Sequence, residues 1–355
     1  MARRDDVLSP RWSLASDPPA VRAEGHLVED GWPLATALSW LAMRTPPLDL
    51  TGIDVGAAVA ARWPISAASV EYAAVGFGSH HWVLTEPNQR RWFVTADVVA
   101  GSAHRLAELT AALNTAHDLH HRCGLEFVVA PRPGINQELL AITGRYAIAL
   151  YPYLERITDA PAEPRQILSM ITALHAATPL VDTVATVDDL TIPDRWALEA
   201  VLADASPGSG RGPFSADFAT LVREHGLPIR AALNQHDAMA STLGPRRATW
   251  VITHGEPKPN NTMITAAGPV LVDWDTVQLA PPARDLWMIG SVARYVATTG
   301  RPVPADHLDF YRLRWDLKDL CGSAAWFIAP HRRTTDTELA WEGSIKICRR
   351  LAGKS

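Results

Sequence analysis

The chain is poor in lysine. Of 33 basic residues only Lys258, Lys318, Lys346 and Lys354 are lysines, and none precedes residue 258. Chemistry that needs a side-chain amine in the first two-thirds of the chain is therefore excluded. Cysteine is also scarce: Cys123, Cys321 and Cys348 are too widely spaced for a CxxC pair or a Cys/His zinc pattern. That excludes a disulfide framework and fits a reducing compartment. The N-terminus, MARRDDVLSPRW, has no apolar run of the kind that directs secretion. The longest early apolar stretch, residues 33–43, is too short to span a bilayer. Charged residues make up only 20% with a net charge of −5, which excludes a broad basic nucleic-acid footprint and whole-chain disorder. These absences describe a cytoplasmic protein with no membrane or nucleic-acid partner.

What is present is a large apolar content, 47% of 355 residues, enough for two lobes. Residues 1–48 are irregular, and Met43 is a candidate true start, with the residues before it an extension. Residues 49–63 carry a helical pattern stopped by Pro64. Three runs then have strand composition: 70–75, 80–85 and 91–95, with Gly76, Phe77, Gly78 and Ser79 joining the first two. A helix follows over 102–121, with Leu106, Leu109, Leu113 and Ala116 on one face and Ser102 as N-cap. Two more strands are predicted at 126–130 and 146–150. From Tyr151 onward the pattern is helical, except near 249–275. The order predicts an α+β protein, with a β-rich lobe over 49–150 and a mostly helical lobe over 151–355.

The strongest chemical signal lies in that exception. Residues 251–262 read VITHGEPKPNNT, and residues 268–275 read GPVLVDWD. An apolar run delivers a polar loop with His254, Glu256, Lys258 and Asn261. A second apolar run ends in Asp273 and Asp275. A hairpin-like device would bring carboxylates and an amide oxygen into one cleft. Hard oxygen ligands suit Mg²⁺ with phosphate oxygens and water. A carboxylate that is not a ligand can orient a hydroxyl and accept its proton.

The spacing HGE, then Asn261, then Asp273–Trp274 resembles the aminoglycoside phosphotransferase-like kinase family, whose signature is H-G-D-x-x-x-x-N followed by D-W. The downstream run VDWDTVQLAPPARDLWMIG is most similar to the spectinomycin phosphotransferase branch, with Leu279–Pro281 and Arg284–Leu286 as its LAP and RDL segments. The resemblance covers roughly residues 50 to 325. It implies a two-lobed protein-kinase-like fold, with a small β-rich N-lobe and a larger, mostly helical C-lobe. It implies an ATP- and Mg²⁺-dependent kinase that phosphorylates a hydroxyl of a small polar acceptor, cationic if it is an aminocyclitol antibiotic.

By the same resemblance, Glu256 occupies the catalytic position, and Asn261 and Asp273 would hold Mg²⁺. Gly76, Gly78 and Ser79 would cover the phosphates. Tyr151, Tyr153 and Leu154 would hold the adenine, and His254 and Asp285 would support the loop. Lys258 and Asp275 are further candidates. The stretch from Asp182 to Asp204, rich in acids, would attract a cationic acceptor, and Trp315, Trp326 and Trp341 are candidates to line its pocket.

Two departures stand out. Glu256 replaces the family's aspartate. The family's lysine on the third strand has no counterpart, with Thr95 or Ala96 at its expected place, so Glu108 on the next helix lacks its usual partner. His80, His81, Arg90, Arg91 and Lys258 are alternative sources of positive charge. The departures open a second reading, a pseudokinase-like binding protein. A third keeps the kinase with a housekeeping metabolite as acceptor.

Overall fold

The computed structural model describes residues 44–76, 78–99, 102–181, 184–203 and 211–353. The proposed extension before Met43, together with Phe77, Asp182 and Asp204, lies outside them. The small lobe opens with helix α1 (Gly52–Arg62), whose first turn is closed by a capping box between Thr51 and Asp54. Strands β1 (Ser69–Ala73), β2 (His80–Thr85), β3 (Arg91–Val98), β4 (Leu140–Thr143) and β5 (Tyr146–Pro152) form one antiparallel sheet in the order β1-β2-β3-β5-β4. Helix α2 (Ala103–His121) lies between β3 and β4 in sequence, and Ser102 Oγ caps it by accepting from Arg105 N at 3.1 Å.

The sheet is packed on both faces, and the side-chain alternation shows how. Trp82, Leu84, Trp92, Val94, Ala96, Ile148 and Leu150 share a core with Val55, Val59 and Trp63 of the α1 side. The opposite face offers Ala147 and Ala149 to Leu109 and Leu113 of α2. Small alanines on that face let a helix approach closely, and burial of both faces explains why β5 reads as an unbroken apolar run.

The strand predicted at 126–130 does not form. Only Val128 makes a bridge, parallel to Leu271, with Leu271 N donating to Phe127 O at 2.8 Å and Val129 N to Leu271 O at 3.3 Å. Its β composition serves instead to tie the end of α2 to the large lobe. The strand that does form there, β4, was not predicted. It turns back into β5 through Gly144, at φ +57°, a conformation glycine reaches without penalty.

The large lobe contains helices α3 (Pro164–Ala176), α4 (Thr178–Val181), α5 (Arg195–Leu202), α6 (Ser215–Glu224), α7 (Gly226–Leu243), α8 (Ala283–Ile289), α9 (Val292–Thr299), α10 (Ala305–Ile328) and α11 (Thr335–Leu351). Two short ladders interrupt them. Strand β6 (Val251–Thr253) pairs with β9 (Gln278–Ala280), and β7 (Thr262–Thr265) pairs with β8 (Gly268–Leu271). The two apolar runs seen in the sequence thus do not pair with each other as a hairpin. Each pairs with a strand that was not predicted.

Residues after β5 cross between the lobes along β7, with Ile157 N donating to Ile264 O at 2.9 Å. Ahead of α1, Tyr72 Oη donates to the Thr45 carbonyl at 3.3 Å, and Arg44 N donates to Asp336 Oδ1 at 3.1 Å. The architecture is the two-lobed, kinase-like α+β fold. Among the described residues, no helix is long and apolar enough to cross a membrane, and all three cysteines are free.

Candidate active site

The two ladders fix two loops side by side. The first, residues 254–261, leaves β6, and the second, residues 272–277, leaves β8. Asp285 holds the first loop from beneath. Its carboxylate is fully buried and accepts from His254 N (3.0 Å), Gly255 N (2.6 Å) and His175 Nε2 (3.0 Å). Burial alone would raise its pKa, but the His175 hydrogen bond and the positive field of its neighbours, Arg284 among them, bring it below the usual carboxylate value. His175 is steadied in turn by Tyr295 Oη, 2.8 Å from Nδ1.

His254 is fully buried and edge-on to Trp274, with centroids 4.6 Å apart. Burial pushes its pKa down to about 4, so the ring is neutral and its hydrogen bonds assign the tautomer. Nε2–H donates to Val272 O (2.9 Å), linking the two loops, and Nδ1 accepts from Glu256 N (3.1 Å). Gly255 adopts φ +96°, and a Cβ there would lie 2.5 Å from Arg284 Cζ. Arg284 fills that space while donating to Thr253 Oγ1 (2.9 Å) and the Thr276 carbonyl (2.8 Å).

These supports present the polar side chains to a cavity of about 1070 Å³ between the lobes, lined by Gly76, Gly78, Glu108, Glu256, Lys258, Asn261, Asp273 and Asp275. Asn261 Nδ2 donates to the Glu256 carbonyl (3.0 Å) and to Asp273 Oδ2 (3.2 Å), which fixes the amide's orientation. Asp273 holds the left-handed φ of +73°, an uncommon and strained conformation for a non-glycine residue. It opens onto the cleft yet is ringed by protein. Desolvation and the charges of Asp275 and Glu256 push its pKa up, and burial with the Glu256 charge does the same to Asp275.

Glu256 has the opposite electrostatics. Lys258 Nζ lies 2.8 Å from one carboxylate oxygen and Lys318 Nζ 3.5 Å from the other. Both ammonium groups sit over the Trp315 ring, at 5.5 and 5.4 Å. Desolvation opposes ionisation, but the two lysine charges prevail and hold Glu256 at about 2. Lys318, on α10, was not predicted as a site residue. Its distance of 62 residues from Glu256 left no local signal, although its rarity as a lysine was one.

The remaining predicted residues stand around the cavity. Ser79 Oγ donates to Asp97 Oδ1. Tyr151 packs beside α2, and its hydroxyl bonds Thr95. Tyr153 lies under the Arg91 guanidinium at 4.0 Å. Tyr151, Tyr153 and Leu154 are not among the residues lining the cavity. Glu108 lines it but pairs with His104 at 3.3 Å.

The cleft-facing residue of β3 is Asp97, rather than Thr95 or Ala96. Ala96 belongs to the core on the other face. Burial and the charge of Asp275 push Asp97 up to about 7, against the Ser79 hydrogen bond and the charge of Arg105. The histidines considered as replacement cations are excluded. His81 stacks on Phe93, bonds the Val75 carbonyl at 2.7 Å, and is pushed down to about 4 by burial. His80 bonds Tyr72 Oη at 3.0 Å and is likewise lowered by burial. Arg90 stacks on Trp92, and Arg91 pairs with Glu155.

The cavity is also lined by Asp189, Asp194, Trp287, Trp315, Trp326 and Asp319. Burial raises Asp319 to about 7. Trp341 is elsewhere, stacked on Phe214 at 6.0 Å. Asp188, also from the acidic stretch, is buried and accepts from Arg314 Nη1 (2.7 Å) and Tyr311 Oη (3.0 Å). Glu199 pairs with Arg195 at 2.7 Å.

A two-lobed fold whose interlobe cleft gathers an acid, an amide and an acidic pair on two adjacent loops has the architecture of a phosphotransferase. Residues 69–320 match the phosphotransferase enzyme family, and the chain belongs to that family. It is 29% identical over 236 residues to Protein StrN of Streptomyces griseus, a match spanning 62% of this chain and 70% of that protein. Its fold resembles spectinomycin phosphotransferase in complex with ADP and spectinomycin, with a TM-score of 0.63 and 12% identity over 85% of this chain and 99% of that one. It also resembles a microcompartment-associated aminopropanol kinase, with a TM-score of 0.56 and 12% identity over 85% and 98% of the respective chains. At these identities the likeness to solved structures is one of fold.

Proposed function

We propose that the protein is an ATP-dependent small-molecule kinase that transfers the γ-phosphoryl group to a hydroxyl of a small, cationic, ring-bearing acceptor. The observation that carries this reading is the convergence of Glu256, Asn261, Asp273 and Asp275 on one interlobe cavity. The oxygens fit Mg²⁺. Among the described residues no group of three or more His, Cys, Asp or Glu side chains could hold a metal by itself. Mg²⁺ takes one or two protein carboxylates and completes its shell with phosphate oxygens and water. Asp273 and Asn261 Oδ1 are the groups that would hold it, since Asn261 Nδ2 is already occupied by Asp273 and the Glu256 carbonyl. When bound, such an ion offsets charge on the transferring phosphoryl group.

In this reading Glu256 receives the acceptor hydroxyl. It is ionised at neutral pH, and its role is to orient the O–H and take up its proton as the new P–O bond forms and the bond to ADP breaks. Lys258 and Lys318 limit its basicity and supply positive charge beside the reacting oxygens. His254 and Asp285 keep the backbone under Glu256 in place. Gly76, Gly78 and Ser79 cover the phosphates. At the acceptor end, Asp319, Asp189 and Asp194 suit ammonium groups, and Trp315 and Trp326 suit apolar ring faces.

The test is Mg²⁺-dependent ATP consumption across a panel of aminocyclitol, amino-alcohol and neutral sugar acceptors, with Asp273→Ala as control. Turnover with a cationic acceptor, lost in Asp273→Ala, is expected. An Asp273→Ala protein as active as wild type would refute the mechanism. The second reading, a pseudokinase-like binding protein, is favoured by one feature: both Glu256 oxygens are occupied by lysines. Nucleotide binding without turnover on any acceptor would select it.

A further inference from the structure

A polyphosphate in this cleft needs a fixed cation, and the cavity's cations can be compared one by one. Lys258 and Lys318 are committed to Glu256. Arg314 is committed to Asp188 at 2.7 Å. Arg284 is spent on Thr253 and Thr276 beneath Gly255. His104 pairs with Glu108. Arg105 remains. It lines the same cavity as Gly76, Gly78, Asp97 and Asp275, in the first turn of α2, with its side chain exposed. Its guanidinium makes no hydrogen bond or ion pair among the described residues, yet its charge acts on both Asp97 and Asp275.

The second observation comes from the strand. The β3 side chain facing the cleft is a carboxylate, Asp97, only 5% exposed and held by Ser79 Oγ. A carboxylate there attracts a guanidinium. Strand and helix thus carry the acid and the base in the reverse of the arrangement implied by a strand lysine and a helix glutamate.

We infer that Arg105 is the residue that binds the nucleotide's phosphates, and that Asp97 is a positioning residue that draws the guanidinium toward the glycine-containing turn. Arginine suits the task because its planar fork can bind two phosphate oxygens at once and stays charged. From its site on a helix it would supply the phosphate-binding charge that β3, which has no lysine, lacks. The inference rests on the nucleotide reading proposed above.

The test is a calorimetric titration of wild type, Arg105→Ala, Arg105→Lys, Asp97→Asn and Arg105→Ala/Asp97→Asn with ATP·Mg²⁺, ADP·Mg²⁺ and adenosine. Arg105→Ala is expected to weaken both phosphate-bearing ligands about tenfold, equivalent to about 1.4 kcal/mol, and to leave adenosine unchanged. Arg105→Lys should recover part of the loss. Asp97→Asn should weaken ATP·Mg²⁺ in the wild-type background and have no further effect once Arg105 is gone, the non-additivity expected of coupled neighbours. Arg105→Ala binding ATP·Mg²⁺ as tightly as wild type would overturn this inference alone, as would an equal loss for adenosine. A wild type that binds adenosine but gains nothing from added phosphates overturns it too. A wild type that binds none of the three overturns the nucleotide reading, and this inference with it.

Discussion

Removing the Asp285 carboxylate tests how the catalytic loop is held. Its two oxygens accept three hydrogen bonds, from His254 N and His175 Nε2 on one oxygen and Gly255 N on the other. A buried donor left without an acceptor costs about 1–3 kcal/mol. Alanine strands all three donors, for a loss of about 3–9 kcal/mol against the roughly 5–15 kcal/mol that holds a domain folded. Asparagine keeps one oxygen. Turned so that its amide faces Gly255, it strands one donor, for about 1–3 kcal/mol. The assay is urea unfolding, where a stability change moves the midpoint and leaves the slope unchanged. Asp285→Asn is expected to lower the midpoint measurably, and Asp285→Ala by about three times as much, or to prevent folding. A loss below about 0.5 kcal/mol for the asparagine variant, the scale of an ordinary surface change, would refute the reasoning. So would equal losses for the two variants.

Other outcomes follow from the same geometry. Gly255→Ala combines a φ of +96° with a Cβ 2.5 Å from Arg284 Cζ, and thermal unfolding should show a loss of about 2–5 kcal/mol. Asp97 has a folded pKa of about 7 against an ordinary value of 3.8. The stability it contributes is fully present below about 3.8 and lost as pH rises through 7, so Asp97→Asn should flatten that part of the stability–pH curve. Glu256 is lowered from 4.5 to about 2; its contribution is present above 4.5 and lost as pH falls toward 2. Lys318→Met should shift that acid limb upward, as followed by urea midpoints between those values. Tyr311→Phe removes the hydrogen bond to Asp188 and should cost about 1 kcal/mol, with a larger loss arguing for further contacts of the hydroxyl.

Much of this was legible in the sequence because the signals are local. Helices α1 and α2, strands β1 to β3 and the loop from His254 to Asn261 each carry their own periodicity or spacing. The failures have a common cause. Residues 126–130 have strand composition, but their pairing partner is the single residue Leu271, so tertiary context withheld the strand. Strand β9 is three residues long and is held by long-range partners on both sides, β6 and residues 186–188. Asp97 was passed over because the face a strand residue takes depends on register, and a shift of one or two positions from Thr95 changes what lines the cleft. Lys318 and Arg105 reach the cavity from α10 and α2, and no sequence spacing records that approach. The β4–β5 hairpin was within reach: an apolar LLAIT run followed by Gly144 is a turn signal between strands.

The contact between Arg44 and Asp336 has a consequence for the helix that follows it. Asp336 opens helix α11, and Leu339, Ala340 and Gly343 further along that helix line the cavity. The chain crosses between the lobes after β5. At Arg44 the segment leading into α1 is held to the C-terminal helix by a backbone hydrogen bond. The lobes are therefore joined at two places, by the chain crossing after β5 and by this bond. Such a bond is worth about 1 kcal/mol. A change at the start of α11 therefore acts on a helix that both lines the cavity and holds the segment ahead of α1.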